Sequence, residues 1–472
     1  MNPGKIGLYS LSTQFIQIII GIGTLAILGR MISLDDFGLF AIVLSVQAIF
    51  LPILDLGLVQ AYLKLKHVDQ EVGNAFFTVH ALIGFIVAIV FVIIAPQIAY
   101  FFDDDRLHDL LTVVSLSFVF GVLGNQSNAK LNRDLNFKLI YKINIYISVT
   151  SSLLVIALAY YGYGIWSFIY RVVFEAAIKS ILFTLLSKDK YIFVGMSTIK
   201  KYKESLYFGA HVVVSRLLSS WSGVIDKFIL AKMGSTEVLA GYSRSQQLAQ
   251  IPHSNISMSL TSPALAYVSR GSDFISKYVL LYWVIFLAAG IPCIILIGFG
   301  DVLFPLIMGE NWESMGWLLQ LMGIFGLGRV FQGLLIFFNI NEKIPKRSSY
   351  FTLGHLLLVI LPSAVTFIVL NNLLYFVLCI SIGSFFYWYT SLCYATVNCY
   401  PDFKREILSL FASQLLILLV TIAITQNSRT YFDELGVFNL LIVGVPGQII
   451  LVIAMVFILN KNIINRLLNF LN

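Results

Sequence analysis

The sequence predicts an all-α integral membrane protein of about fourteen transmembrane helices, arranged as two six-helix lobes related by an axis along the membrane normal plus two C-terminal helices. Three observations predict it: a composition that water cannot solvate, apolar runs of spanning length along the whole chain, and an internal repeat. The 472 residues are 58% hydrophobic and 12% charged, with a mean hydropathy of +0.88. A soluble domain of that composition would expose apolar patches far beyond what monomeric proteins tolerate. The net charge of +7 would suggest nucleic acid in a soluble chain; here it is read by position along the membrane topology, and no nucleic-acid partner is expected. Cys293, Cys379, Cys393 and Cys399 fall in or beside apolar runs without the paired spacing of a zinc or redox site, and read as packing residues.

A spanning helix needs about 20 mostly apolar residues. Runs of that kind lie near 8–29, 37–58, 75–101, 110–127, 143–161, 164–187, 205–230, 238–262, 278–300, 315–339, 350–370, 373–397, 406–426 and 437–460. The first follows a single Lys5 and lacks a small-residue cleavage site, so it reads as a retained helix. With the N-terminus in the cytoplasm, the termini and even-numbered connections hold 21 Lys and Arg, whereas the odd-numbered ones hold Arg30, Arg106, Lys232 and Arg429 alone. The positive-inside rule places both termini in the cytoplasm. Shifting the count by one span would scramble this asymmetry.

Self-comparison at an offset of 202 residues pairs Gln14 with Arg216, Gly21 with Gly223, Thr24 with Asp226, Arg30 with Lys232, Met31 with Met233, Ser33 with Ser235 and Asp35 with Glu237. After a slip of one residue Gly38 meets Gly241, and Gln47 meets Gln250. That period holds six spans, an even number, so both copies share one orientation and rock about a common centre in the manner of transporters built from parallel repeats. The expected organisation is an N-terminal lobe at 1–190, a C-terminal lobe at 191–400 and two additional helices at 401–472.

Six basic residues fall inside spans or near their ends: Arg171, Lys179, Arg216, Lys227, Arg244 and Arg329. A charge at mid-bilayer costs about 2.5 to 3.5 kcal/mol on insertion scales, so such residues face a cavity or a partner. On the seventh span His211, Ser215, Ser219, Ser222 and Asp226 form a polar stripe with Arg216 beside it; Ser10, Gln14, Gln17, Gly21 and Thr24 form its equivalent on the first. The plain alternative is that the small members only permit close helix packing. Arg244 and Gln247 share a face of the eighth span. Because guanidinium matches phosphate oxygens bidentately, Arg216 and Arg244 are the candidates for an anionic headgroup, with Gln14, Gln17, Ser219 and Gln247 beside them. Arg329 lies late in its span, where it can snorkel to the interface.

Arg171, Glu175 and Lys179 recur every four residues and read as an ion-pair ladder, while Asp55 and Asp226 are candidates to bind a coupling H+ or Na+. The acidic run Asp103 to Asp105 reads as a solvated cap, and no metal or cofactor site is assigned. Phosphate loops, nucleotide fingerprints, nucleophile elbows and paired-histidine helices are all missing, so no catalytic residue is expected and the chain reads as a transporter.

The segment Leu28-Gly-Arg30-Met-Ile-Ser33-Leu-Asp-Asp-Phe37-Gly38 resembles the hallmark after the first helix of Wzx-type polysaccharide flippases, within the multidrug, oligosaccharidyl-lipid and polysaccharide exporter superfamily. Leu131-Asn-Arg133-Asp-Leu-Asn-Phe137 and Gly162-Tyr-Gly164-Ile-Trp166-Ser are similar to its colanic-acid-exporter branch. So are Asp226-Lys-Phe-Ile-Leu-Ala-Lys232-Met and Ala240-Gly-Tyr242-Ser in the second half. Ser33 and Ser235 stand where many relatives carry glycine.

The resemblance covers at least residues 8 to 250 and implies a polyprenyl-diphosphate oligosaccharide as substrate, flipped between leaflets for O-antigen, capsule or exopolysaccharide synthesis. A polymerase and chain-length proteins of that pathway would be partners. Three rivals stand beside this expectation. One, in the same fold, is an exporter of small amphipathic molecules or a flippase for the peptidoglycan precursor. A polymerase or ligase of the pathway would expose a large periplasmic loop, and the connections here run to about a dozen residues. A scaffold would tolerate neutralisation of Arg216 or Arg244.

Overall fold

The computed structural model describes residues 3–55, 57–65, 68–187, 190–202, 217, 220–258, 282–341, 345–433 and 445–459. Among them every regular element is a helix. Among the described residues nine helices are long and apolar enough to cross a membrane, so this is a multi-pass membrane protein. Each of the fourteen apolar runs meets a helix in its described part; the seventh does so at 217, 220–222 and Ile225–Met233, and the fourteenth through Val445–Leu459. The helices gather into two compact units, Met1–Ser243 and Arg244–Asn472.

The first unit opens with α1 (Pro3–Met31), α2 (Leu34–Asp55) and a short α3 (Leu58–Lys64). Next come α4 (Gln70–Phe102), α5 (Arg106–Leu123), α6 (Asn125–Arg133), α7 (Phe137–Tyr160) and α8 (Ile165–Leu186). It continues through α9 (Met196–Lys201), α10 (Ile225–Met233) and the start of α11 (Thr236–Ile251). α4 packs along α5, α5 along α8, and α7 against both α1 and α8. Buried Phe37, Phe76, Phe91, Phe118 and Phe183 fill the interior, while Leu82, Phe85, Ile86, Ile89 and Ile93 of α4 stay exposed, as a lipid-facing surface requires.

The repeat is visible in the helix ends. α1 stops at Met31 and α10 at Met233; α2 starts at Leu34 and α11 at Thr236, each at the offset of 202 residues. Both restarts use one device: the Ser33 hydroxyl accepts the Asp36 N–H (3.1 Å) and the Ser235 hydroxyl the Val238 N–H (3.2 Å). These are side-chain caps for helix donors that have no partner of their own.

The second unit is built on α13 (Gly316–Asn341), which packs against α12 (Ile291–Met308) and α16 (Leu373–Cys399). α14 (Pro345–His355), α15 (Leu361–Leu370), α17 (Lys404–Asp433) and α18 (Val445–Leu459) complete it. Its core joins Trp283, Phe286, Phe331, Trp388 and Tyr389. Small residues set the spacing, since association in lipid relies on close backbone approach rather than on excluding water. A Cβ on Gly326 would stand 2.3 Å from the Ala249 carbonyl oxygen, and one on Gly328 would stand 2.9 Å from Cα of Phe385. Three wide π turns occur among the described residues of this unit, at Pro252–Ser257, Phe286–Gly290 and Leu356–Ile360. Each begins at a proline or ends two residues before one, Pro252, Pro292 and Pro362. Proline has no N–H to give the preceding turn, and a locally widened ladder accommodates its ring.

Gly326→Ala is expected to lower stability by about 1 to 3 kcal/mol through overpacking against the Ala249 carbonyl. Gly21→Ala, with open space at its Cβ position, stays within about 1 kcal/mol of the parent. Thermal unfolding in detergent compares the two.

Candidate functional site

The segments singled out in the sequence meet one another in space. Asp35 and Asp36 open α2 and turn in different directions. The Asp35 carboxylate accepts the Thr236 hydroxyl at 2.5 Å and pairs with Arg106 at 2.8 Å. The Asp36 carboxylate takes the backbone N–H of Ile165 at the start of α8; there the chain has just passed Gly162 and Gly164, both in the left-handed region. Phe37 and Phe40 pack on the Phe168 ring at 5.0 and 4.5 Å. Gly38 lies so close to the start of α11 that a Cβ would fall 2.0 Å from the Thr236 carbonyl oxygen. No side chain fits there.

The turn between α4 and α5 completes this junction. Asp103, in a left-handed conformation, pairs with Lys232 at 2.6 Å; the same ammonium donates to the Phe101 carbonyl and sits 5.2 Å over the Phe101 ring. Arg106 bridges Asp104 at 2.7 Å and Asp35 at 2.8 Å. One copy of the repeat thus meets the other through a glycine contact ringed by polar links, several well exposed: side-chain exposures are 40% and 77% for the Lys232–Asp103 pair. The acidic run expected as a solvated cap is solvated, and two of its members also hold cations. Sequence reasoning did not assign Asp35, Asp103, Asp104, Arg106, Lys232 or Thr236 to a site, although the pairing of Arg30 with Lys232 and Asp35 with Glu237 had flagged two of them.

Arg133, from another quoted segment, is a structural cap. Its guanidinium donates to the carbonyls of Tyr62, Leu63 and Leu65 at 3.1, 3.4 and 2.8 Å, satisfying the C-terminal end of α3.

Of the candidate site residues, Arg216 and Ser219, expected to bind substrate, lie outside the described residues, as does the side chain of Asp55, a coupling candidate. Buried Arg244 donates to the Oε1 atom of exposed Gln247 at 2.5 Å, so these two do share a face of α11. Gln14 is half-buried; Gln17 reaches across to the Ser148 hydroxyl of α7 at 3.3 Å. The Asp226 carboxylate is buried, accepting the Tyr242 hydroxyl at 2.6 Å. Arg171 and Glu175 approach to 3.8 Å along α8, and Lys179 beyond them is exposed. In the second unit the Arg329 Nε is buried, and its charge acts on two buried imidazoles, His253 and His355, each placed at a π turn. His355 stacks on Trp388 at 5.0 Å and meets the Ser384 hydroxyl at 2.9 Å.

The described residues form an all-helical membrane fold, and solved structures share it. The chain is similar to a lipid II flippase, MurJ, in an inward closed conformation, with a TM-score of 0.72 at 15% identity over 97% of this chain and 99% of that one. It is also similar to an inward-facing MATE family multidrug transporter, TM-score 0.61 at 15% identity over 86% and 98%. A family model described as polysaccharide biosynthesis protein matches residues 27–316, and the chain belongs to that family.

Relatives include the teichuronic acid biosynthesis protein TuaB of Bacillus subtilis, 22% identical over 68% of this chain and 67% of that protein. The lipopolysaccharide biosynthesis protein WzxC of Escherichia coli is 21% identical over 66% and 65%. A membrane protein of the Klebsiella pneumoniae cps region is 22% identical over 88% of each. The resemblance read from the quoted segments is borne out.

A double-mutant cycle on Lys232→Ala and Asp103→Ala in thermal unfolding is expected to return a coupling of about 0.2 to 1 kcal/mol, as for other exposed pairs. Tyr242→Phe removes the donor from a buried carboxylate and is expected to cost about 1 to 3 kcal/mol in the same assay.

Proposed function

We propose that this protein flips a polyprenyl-diphosphate-linked oligosaccharide across the bacterial inner membrane, by alternating access, to supply surface polysaccharide synthesis. The observation that carries the reading is the junction of the two repeat copies. A flippase must shut one face firmly against ions and open it cheaply. The Gly38–Thr236 contact brings backbones together with no room for solvent. The surrounding Arg106–Asp35 and Lys232–Asp103 pairs are exposed and separate at little free-energy cost, and the Asp35–Thr236 hydrogen bond beside them is part-buried. On the distribution of Lys and Arg this face is periplasmic and both termini are cytoplasmic.

The substrate class follows from the company the chain keeps. Its family is one of polysaccharide biosynthesis, WzxC and TuaB are named for cell-surface polymers, and MurJ acts on lipid II. A diphosphate headgroup calls for guanidinium donors, the role we give to Arg216 and Arg244, with Gln14, Gln17, Ser219 and Gln247 contributing amide and hydroxyl contacts. Asp226 and Asp55 are the coupling candidates for H+ or Na+, and the Arg171, Glu175, Lys179 ladder neutralises charge along α8. The moving bodies are lobes 1–190 and 191–400, with the helices of 401–472 accompanying them. A polymerase and chain-length proteins would receive the product.

The decisive experiment locks the junction. In a chain with all four native cysteines replaced by alanine, Asp35→Cys and Thr236→Cys are oxidised to a disulfide in proteoliposomes holding a labelled polyprenyl-diphosphate oligosaccharide. Transfer to the outer leaflet is expected to stop in the oxidised protein and return on reduction. Transfer that continues unchanged with the disulfide formed would refute the gating role. In the same assay Arg244→Ala is expected to lower transfer about tenfold or more, since a charged hydrogen bond to phosphate contributes roughly 1.5 to 3 kcal/mol.

A further inference from the structure

The described part of the connection between α8 and α10 is a docked hook. Residues 190–195 run extended along the first turns of α4, and three polar side chains of that helix receive them. The Gln70 amide donates to the Lys190 carbonyl at 2.5 Å, the Ile192 N–H donates to Asn74 Oδ1 at 3.1 Å, and the Val194 N–H donates to Thr78 Oγ1 at 3.0 Å. The registers fit because two extended residues advance about 6.6 Å while four helical residues advance about 6.0 Å.

Tyr191 lies against Gly73, where a Cβ would come within 2.4 Å of its ring, and the Tyr191 and Phe193 rings pack on Phe77 at 6.1 and 5.3 Å. After Gly195 the chain turns into α9 and climbs back, so that Lys201 pairs with Glu71 at 2.7 Å, beside the point where the hook began. The Glu71 carboxylate raises the Lys201 pKa above its ordinary value, and that ammonium stays charged across the physiological range.

Two features of the hook stand out. Non-helical backbone needs side-chain partners of this kind where water does not reach. The outward side chains of the tip are apolar, with Ile192, Phe193 and Met196 each more than 60% exposed, while Lys190, Lys200 and Lys201 at its two roots are exposed cations. An apolar tip between basic roots is complementary to the boundary of a bilayer that carries anionic headgroups.

We infer that residues 190–201 form an interfacial anchor that binds anionic phospholipid: Ile192, Phe193 and Met196 enter the acyl region, and Lys190, Lys200 and Lys201 engage headgroup phosphates. The anchor holds the connection between the two repeat copies in the plane of the membrane surface. The inference rests on the geometry of the hook alone and stands apart from the transported substrate.

Two measurements test it in the full-length protein. With the native cysteines replaced by alanine, Met196→Cys carries an environment-sensitive fluorophore in phosphatidylcholine vesicles with and without phosphatidylglycerol. The label is expected to be quenched by acyl-chain spin-labelled lipid and shielded from aqueous iodide. Quenching by iodide, with indifference to the lipid quencher, would overturn the inference; so would protection from both, since a protein surface would then cover the tip. Bound phosphatidylglycerol is then counted by native mass spectrometry in wild type and in Lys190→Gln/Lys200→Gln, which spares the lysine paired with Glu71. Affinity is expected to fall about fivefold for each lysine removed. Equal retention by the two proteins would sink the headgroup assignment.

Discussion

Inside hydrocarbon no backbone N–H or C=O can turn to water, and several departures from a regular helix among the described residues are accompanied by a substitute partner or a widened ladder. Where helices restart, Ser33 and Ser235 supply the missing acceptor. Where α3 ends, Arg133 reaches three carbonyls from 68 or more residues away. Where the chain runs extended beside α4, Gln70, Asn74 and Thr78 take over. Where proline interrupts the second unit, the ladder widens into a π turn. Hydroxyl groups along the spans follow the same rule: Thr24, Ser45, Thr78, Ser363 and Thr421 donate to carbonyls of their own preceding turn.

The same constraint gives the junction of the repeat copies its character. In lipid, two helical hairpins gain little by excluding solvent, so their contact depends on close backbone approach and a few polar links. Gly38 supplies the approach, and Asp35, Lys232 and Arg106 supply the links. Such a contact holds its geometry while made and costs little to break, the combination an alternating-access protein needs on each face in turn. The exposed ion pairs contribute more to the register of the contact than to its strength.

In the second unit two irregular turns share one electrostatic neighbour, Arg329. His253 and His355 sit at two separate π turns, and both fall under the charge of that guanidinium. Widened turns displace side chains from the positions a regular helix would assign them, which is why neither histidine stood out from helical spacing. Arg329, late in the tenth span, is half-buried, with its Nε buried.

Hydropathy, lysine distribution and self-similarity by themselves determined that the chain is a multi-pass helical membrane protein, approximately where its helices run, and that α1 and α2 recur as α10 and α11. These are local properties or comparisons of local patterns, carried by side chains spaced a few residues apart. The expected ends near 29 and 230 fall within two or three residues of the helix ends at Met31 and Met233 for that reason, and the Arg244–Gln247 pair, one turn apart on a single helix, was legible too.

What only the tertiary structure decided is which quoted segments touch. Asp35 finds Thr236 across 201 residues of chain, Lys232 finds Asp103, and Asp36 caps a helix that begins at Ile165. The hook at 190–201 was likewise invisible, because its extended limb follows the pattern of α4 rather than any period of its own. A sequence records each partner separately; the pairing is set by how helices pack, and packing depends on contacts between residues far apart in the chain.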